Sequence, residues 1–491
     1  MMATNSGTAI WAGNVIMGGS AQWRPGSDGG TLEFVGNAVQ GNHIFIVPRG
    51  AIIFASNAVA SSTVSGYLGR DGSGNKRSSN ITIRDNAAVA MAGCSIGGGK
   101  VGGSVTIAVQ NNGSLSFGAN TVDLHNIANS AAVSTLRLNG GTVTAGGFTK
   151  TQTTYTNIID FNGGILKAGA NNAAFLPAFN FTTNAVQAGG AIIDDGGFFI
   201  GIAAQWIHDP ALGTTPDGGL TKLGSGTLTL AAADTYTGPT IVASGTLAVD
   251  APPPGAILNS ASIYVAAGAL LDCSQGGNGS LSLGSGKLLW GNGTLKGNFT
   301  LASGATLAPG SNSIGTLTFS NNLNLAAGST NLFEISRSPL TNDAVVVGTL
   351  TNGGALIVSA IGSGQFAVGD TFKLFSATNY NGSFASVQLP TLPFGLKWNT
   401  NSLNTAGTIS VVPNTTPLIG NFSILGSGLV LSGTGGVGNA SFYLLGSSSI
   451  ATPLSNWTRL YTGQFDSGGN FHFTNASGTN DQNYYRLQLA P

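Results

Sequence analysis

A small unit recurs along this chain: a glycine, a small or β-branched residue, then apolar residues in alternation. It reads GSLSF at 113, GTVTA at 141, GILKA at 164 and GAIID at 190, then GTLTL at 226, GTLAV at 245, GALLD at 268, GTLKG at 293 and GTLTF at 315. The first four glycines are 28, 23 and 26 residues apart. Looser copies, GAIIF at 50 and AAVAM at 87, come before them. Period-two alternation puts Leu228 and Leu230 on one face of a strand and Thr227 and Thr229 on the other. So short a strand buries too little to stand alone, but stacked copies merge their leucines, valines and isoleucines into one core. The period leaves room for two or three short strands per coil, with Gly, Asn and Asp in the turns. Helices are excluded: apolar residues do not recur at i, i+3, i+4, and glycine interrupts nearly every window. The expected fold is all-β, a parallel β-helix.

The composition agrees with this and removes several function classes. Charged residues are 7% of the chain against roughly 25% in a typical soluble domain, and glycine is 76 of 491 residues. Hydrophobic content is 42%, too high for a disordered chain. Eighteen basic and eighteen acidic residues cancel. No basic stripe is present to displace counterions, so no nucleic-acid partner is expected. The densest basic cluster, GRDGSGNKRSSN at 69 to 80, reads as an exposed loop. It lacks the spaced carboxylates and terminal Glu of a calcium loop. No run of about eighteen apolar residues exists, so no transmembrane helix is expected. The start, MMATNSGTAIWAGN, lacks the basic region and apolar core of a secretory signal.

Coils fill residues 1–335. Between 366 and 398 the chain becomes aromatic, with Phe366, Phe372, Phe375, Tyr380, Phe384, Phe394 and Trp398. Residues 336–413 therefore read as the last coils and an aromatic-rich C-terminal cap that covers otherwise open strand edges. Residues 414–417 read as a linker, and 418–491 as a small, turn-punctuated β-sandwich-like module. Cys94 and Cys273 are about seven coils apart, ~34 Å along the axis at ~4.8 Å per strand. A disulfide needs Cα atoms within roughly 7 Å, so two buried thiols are expected.

One stretch, GLTKLGSGTLTLAAADTYTGPTIVASGTLAVD (219–250), resembles the passenger-associated transport repeat, also called the autotransporter-associated β-strand repeat. It contains the GLTK opening, the GxGTLTL strand, a TYTG turn with Asp234 before it, a T-x-V strand and a GTL-x-V strand. It reads as one coil, with Leu228, Leu230, Leu247 and Val249 facing the core. The flanking GNGTLKGNFTLASGATLAPGSNSIGTLTF (291–319) is similar to coils of the same proteins. The resemblance implies a right-handed β-helix passenger, extracellular or on the cell surface, in which the repeat supports export and folding. It implies a non-enzymatic scaffold, with adhesion to glycans or neighbouring cell surfaces as its role.

The alternative is a polysaccharide-binding or polysaccharide-degrading β-helix, a lyase or hydrolase. Glycoside hydrolysis needs two nearby carboxylates, one with a raised pKa. Asp194 and Asp195 in GGAIIDDGG are the runner-up catalytic residues, with Asp160 and Asp217 as strand-step neighbours and Lys167 and Lys222 as nearby cations. Adjacent strand residues point to opposite faces, so at most one of the pair faces a given groove. The simpler reading has the pair ending a strand and entering a Gly-Gly turn. His43, His125, His208 and His472 stand singly, without a second ligand at metal spacing. His208, in WIHDPALG, is the most suggestive and reads as part of a polar loop. No cofactor-binding, metal-binding or catalytic residue is otherwise assigned.

Overall fold

The computed structural model describes residues 7–13, 29–36, 50–62, 66–68, 78–96, 104–125, 133–250, 257–310, 313–393, 396–414, 417–425, 428–436, 438–475 and 484–490. His43, Phe394 and most of the 69–80 cluster lie outside these residues. The chain divides into two compact units. The larger comprises Met1–Glu334, Asn342–Ser359 and Leu374–Gln388, and the smaller the remainder.

The larger unit is a parallel β-solenoid. From Gly50 to Ile202 each turn gives one strand to each of three walls. The turn over 134–149, for example, contributes Ser134–Asn139, Thr142–Ala145 and Gly147–Thr149 in that order. The first wall is a nine-stranded sheet from Thr8–Trp11 to Trp206–His208. The second, 15-stranded, begins at Val59–Ser62 and reaches Ser386–Gln388. The third starts with a four-stranded sheet, Gly66–Leu68 to Gly147–Thr149, and resumes as an 11-stranded one from Asn172–Leu176. Neighbouring strands pair in parallel register, so like positions stack: Val89, Leu115, Val143, Leu166 and Ile193 form one inward column of the second wall. Each such buried side chain is worth about 1.5–3 kcal/mol.

The glycine-led unit does not mark one wall throughout. GSLSF, GTVTA, GILKA and GAIID open second-wall strands, whereas GTLTL, GTLAV, GALLD, GTLKG and GTLTF open third-wall strands. The change of wall follows Asp195. The expectation that 219–250 is one coil is also corrected. Thr227–Leu230 pairs directly with Thr246–Val249, Leu228 on Leu247 and Leu230 on Val249, so the two GTL strands belong to successive turns. Each of these turns carries only two strands, because the first wall ends at His208 and a non-strand segment replaces it. A further ladder appears at Ser280–Leu283 and Asn298–Leu301, which pair with each other, and then merges into long strands such as Thr316–Leu325.

The aromatic series of 366–398 divides between the units. Phe375 packs on Phe333 and Phe384, and its strand, Phe375–Gly382, pairs in parallel with Ala344–Asn352 inside the solenoid unit. In the smaller unit Phe366, Phe372 and Trp398 pack together over an antiparallel sheet of Thr371–Lys373, Thr408–Pro413 and Leu396–Asn399. The smaller unit also holds two three-stranded antiparallel sheets after residue 417. One supplies Leu429, Leu431, Phe471 and Phe473 to a shared core, the other Phe442, Leu444 and Leu487.

Candidate functional site

Every charged group proposed for 160–220 is held by partners from neighbouring turns. Ala191–Asp194 ends at Asp194, and Asp195 enters the Gly196-Gly197 turn. Each carboxylate accepts the amide two residues on: Asp194 Oδ1 from Gly196 N and Asp195 Oδ1 from Gly197 N, both 2.8 Å. The alternation separates them. Asp194 faces outward, half-buried, 2.6 Å from Lys167 Nζ on the preceding turn. Burial pushes its carboxyl up, but the Lys167 ammonium and the Gly196 amide outweigh this and hold it below the usual value. Asp195 faces inward and is fully buried, in an ion pair with Lys222. Asp160 lies on another wall, where Arg137 Nε reaches it at 3.1 Å. Burial raises its carboxyl above the ordinary value, and Arg137 offsets only part of that rise. Asp194 and Asp195 therefore do not converge on one groove, and the charges acting on Asp160 come from Arg137 and Asp209.

His208 and Asp217 are brought together, which the sequence reading did not anticipate. His208 Nδ1 lies 2.8 Å from Asp217 Oδ2, and Nε2 lies 3.1 Å from the Gly213 carbonyl oxygen. Asp217 also accepts Gly219 N and Gly238 N at Oδ1, and Thr237 N and Thr237 Oγ1 at Oδ2. Burial alone would raise its carboxyl, but these donors together hold it low. The bond to Asp217 raises the His208 imidazole above its ordinary value.

The 219–250 stretch is built for stacking. Gly219 has a φ of +69°, and a Cβ there would lie 1.9 Å from Pro239 O. A Cβ on Gly238 would lie 2.3 Å from Asp217 O. Lys222, its side chain fully buried, donates to Gly224 O at 2.7 Å, Gly226 O at 3.2 Å and Ser244 O at 2.9 Å. Asp234 accepts Trp206 N at 2.8 Å, and burial pushes its carboxyl up to about 7. Tyr236 is buried, with its hydroxyl 2.8 Å from Thr240 Oγ1. The GLTK lysine and the residue before TYTG thus bind adjacent turns, the glycines let those turns approach, and the tyrosine bonds four residues on.

His125 is buried, 3.3 Å from Ser134 Oγ and stacked on Tyr155, while His472 is exposed on Phe471–Asn475. Among the described residues no group of three or more His, Cys, Asp or Glu side chains is placed to hold a metal ion. Among them, too, no helix is long and apolar enough to cross a membrane. Cys94 and Cys273 are buried and form no disulfide, and burial pushes the Cys273 thiol up to about 12. Lys150, unremarked in sequence, is buried and donates to Tyr155 O and Asn180 O, both 2.6 Å.

No curated protein matches the chain. Residues 220–249 match the family model of the passenger-associated transport repeat, and with the parallel β-solenoid around them they fit an autotransporter passenger-like β-helix.

Proposed function

We propose that the chain is a non-enzymatic β-helical scaffold, secreted or displayed at a cell surface, with an adhesive or surface-structural role toward glycans or neighbouring cells. In this reading the repeat supports folding of the solenoid during export, and 418–491 is a separate small module. The observation that carries it is the fate of the conspicuous residues of 194–250. Asp195, Asp217, Lys222 and Asp234 are consumed by bonds between turns, and the Tyr236 hydroxyl by Thr240. Chemistry needs groups aimed at a substrate, whereas these are aimed at the solenoid itself.

The alternative is a polysaccharide-processing reading, which needs two converging carboxylates, whereas Asp160 and Asp194 stand on different walls, each bonded to its own cation. The two readings separate in one experiment. The purified chain is incubated with a polysaccharide panel and assayed for reducing or unsaturated ends, with retention on the same immobilised glycans measured in parallel. Retention without turnover is the expected result. Turnover abolished by Asp194→Ala or Asp195→Ala would overturn the scaffold reading.

A further inference from the structure

The first wall ends at Trp206–His208, and the chain then makes an excursion before rejoining the solenoid at Asp217. Asp209 caps a short 3-10 turn at Pro210–Leu212, and residues 213–216 are exposed. The backbone bonds of the excursion close largely on itself: Leu212 N to Asp209 O, Gly213 N to Pro210 O and Thr215 N to Leu212 O. The contact from His208 Nε2 to Gly213 O fastens its middle back to the wall.

The nearest partner of each His208 ring nitrogen is an oxygen that only accepts, the Asp217 carboxylate at Nδ1 and the Gly213 carbonyl at Nε2. The Thr237 hydroxyl is farther from Nδ1, at 3.3 Å, and itself donates to Asp217. An imidazole satisfies both only when both nitrogens carry protons. We propose that His208 is a proton-operated latch, clamping the 209–216 excursion at Gly213 when doubly protonated and releasing it on losing the Nε2 proton. Nδ1 keeps its proton because it faces the Asp217 carboxylate. Deprotonation then sets the bare Nε2 lone pair against the Gly213 carbonyl, and a hydrogen bond becomes a repulsion. Asp217 does not move with it, since Gly219 N, Gly238 N and Thr237 N hold it independently.

The titratable groups around the ring are Asp217, at 2.8 Å, and Asp209. Asp209 is bonded to Gln187 Nε2 from the turn below and to Ala211 N. The 237 turn contributes the neutral Thr237 hydroxyl. Both carboxylates favour the imidazolium, so the folded imidazole titrates above the free one. The sign follows. Releasing Gly213 leaves Asp217 on Nδ1, so the open-state imidazole also stays above the free value. The clamp is fully present below that open-state value and is lost as pH rises through the still higher folded value.

The test uses the full chain. A broad-specificity protease is applied from pH 5.5 to 9, cuts within 209–216 are mapped by mass spectrometry, and rates are divided by those for a free peptide of that sequence. The normalised rate is expected to rise, by no more than about tenfold per pH unit, as pH passes from the open-state to the folded value of the His208 imidazole, then level off. His208→Gln should be flat over this range, and Asp209→Asn should keep the rise. Asp217→Asn, which retains a side-chain oxygen for Gly219 N and Gly238 N, should move the rise to lower pH. A flat wild-type profile, an unchanged slope in His208→Gln or an unmoved rise in Asp217→Asn would each overturn the latch.

Discussion

Lys222→Met removes a charge from the centre of the matched repeat while keeping an unbranched apolar side chain. The buried ammonium faces Asp195 and the carbonyls of Gly224, Gly226 and Ser244. After substitution Asp195 still accepts Gly197 N and Gly226 N, and Gly224 O still accepts Ser244 Oγ at 2.8 Å. The counter-charge is gone, however, and the carbonyls of Gly226 and Ser244 lose the Lys222 donor. Removing one partner of a buried ion pair costs about 3–5 kcal/mol. The loss should be local, because each turn of a solenoid contacts only its neighbours. Amide hydrogen exchange read by mass spectrometry over peptides covering 195–250 is therefore the right measurement. Exchange there should accelerate by roughly two to three and a half decades, with little change before residue 125. Adding Asp195→Asn should recover part of the loss, since the amide oxygen can keep both backbone donors. Exchange within about threefold of wild type, or acceleration spread evenly along the solenoid, would refute the assignment of Lys222 as a tie between turns.

Two further outcomes test the same architecture. Gly238→Ala forces a Cβ to 2.3 Å from Asp217 O and should cost about 1–3 kcal/mol by overpacking, whereas Gly284→Ala, with open space around its Cβ, should be near neutral by thermal and denaturant unfolding. Stability around 206–236 should fall as pH rises from about 4 to about 7 and then level off, because burial holds the Asp234 carboxyl up at about 7 while the unfolded group ionises near 3.9. The slope approaches but does not exceed about 1.4 kcal/mol per pH unit. Asp234→Asn keeps an acceptor for Trp206 N, so its opening free energy against pH should be flatter than wild type; parallel curves would refute the Asp234 contribution.

Alternation carried most of the fold in the sequence, because inward and outward positions in a stacked strand depend on little else. Leu228, Leu230, Leu247 and Val249 all face the core as the pattern requires. Which wall a strand joins was not legible. GAIID and GTLTL satisfy the same pattern, and only pairing shows that one lies on the second wall and the other on the third. The two GTL strands likewise looked like parts of one coil, since nothing in the letters distinguishes one turn around from one step across. The separation of Asp194 from Asp195 followed from alternation, but the partners did not. His208 meets Asp217, and Asp195 meets Lys222, because an excursion and a following turn fold back onto them. A lysine in so plain a segment also gives no sign in sequence that its ammonium will be buried among carbonyls.

The displacement of the glycine-led strand from the second wall to the third between Gly190 and Gly226 limits how such a chain can change length. Within the run up to 194, or within the run from 227 onward, adding or deleting one whole turn leaves every remaining strand on its own wall. An exchange that joins a turn from one run to a turn from the other aligns the two sequences perfectly well by their glycines. It nevertheless delivers each later strand to the wrong side of the solenoid, with its leucines stacked on a column that continues elsewhere. Growth by duplication is thus confined to two separate compartments, and the segment from Asp195 to Leu223, with its Lys222 tie and His208 clamp, belongs to neither.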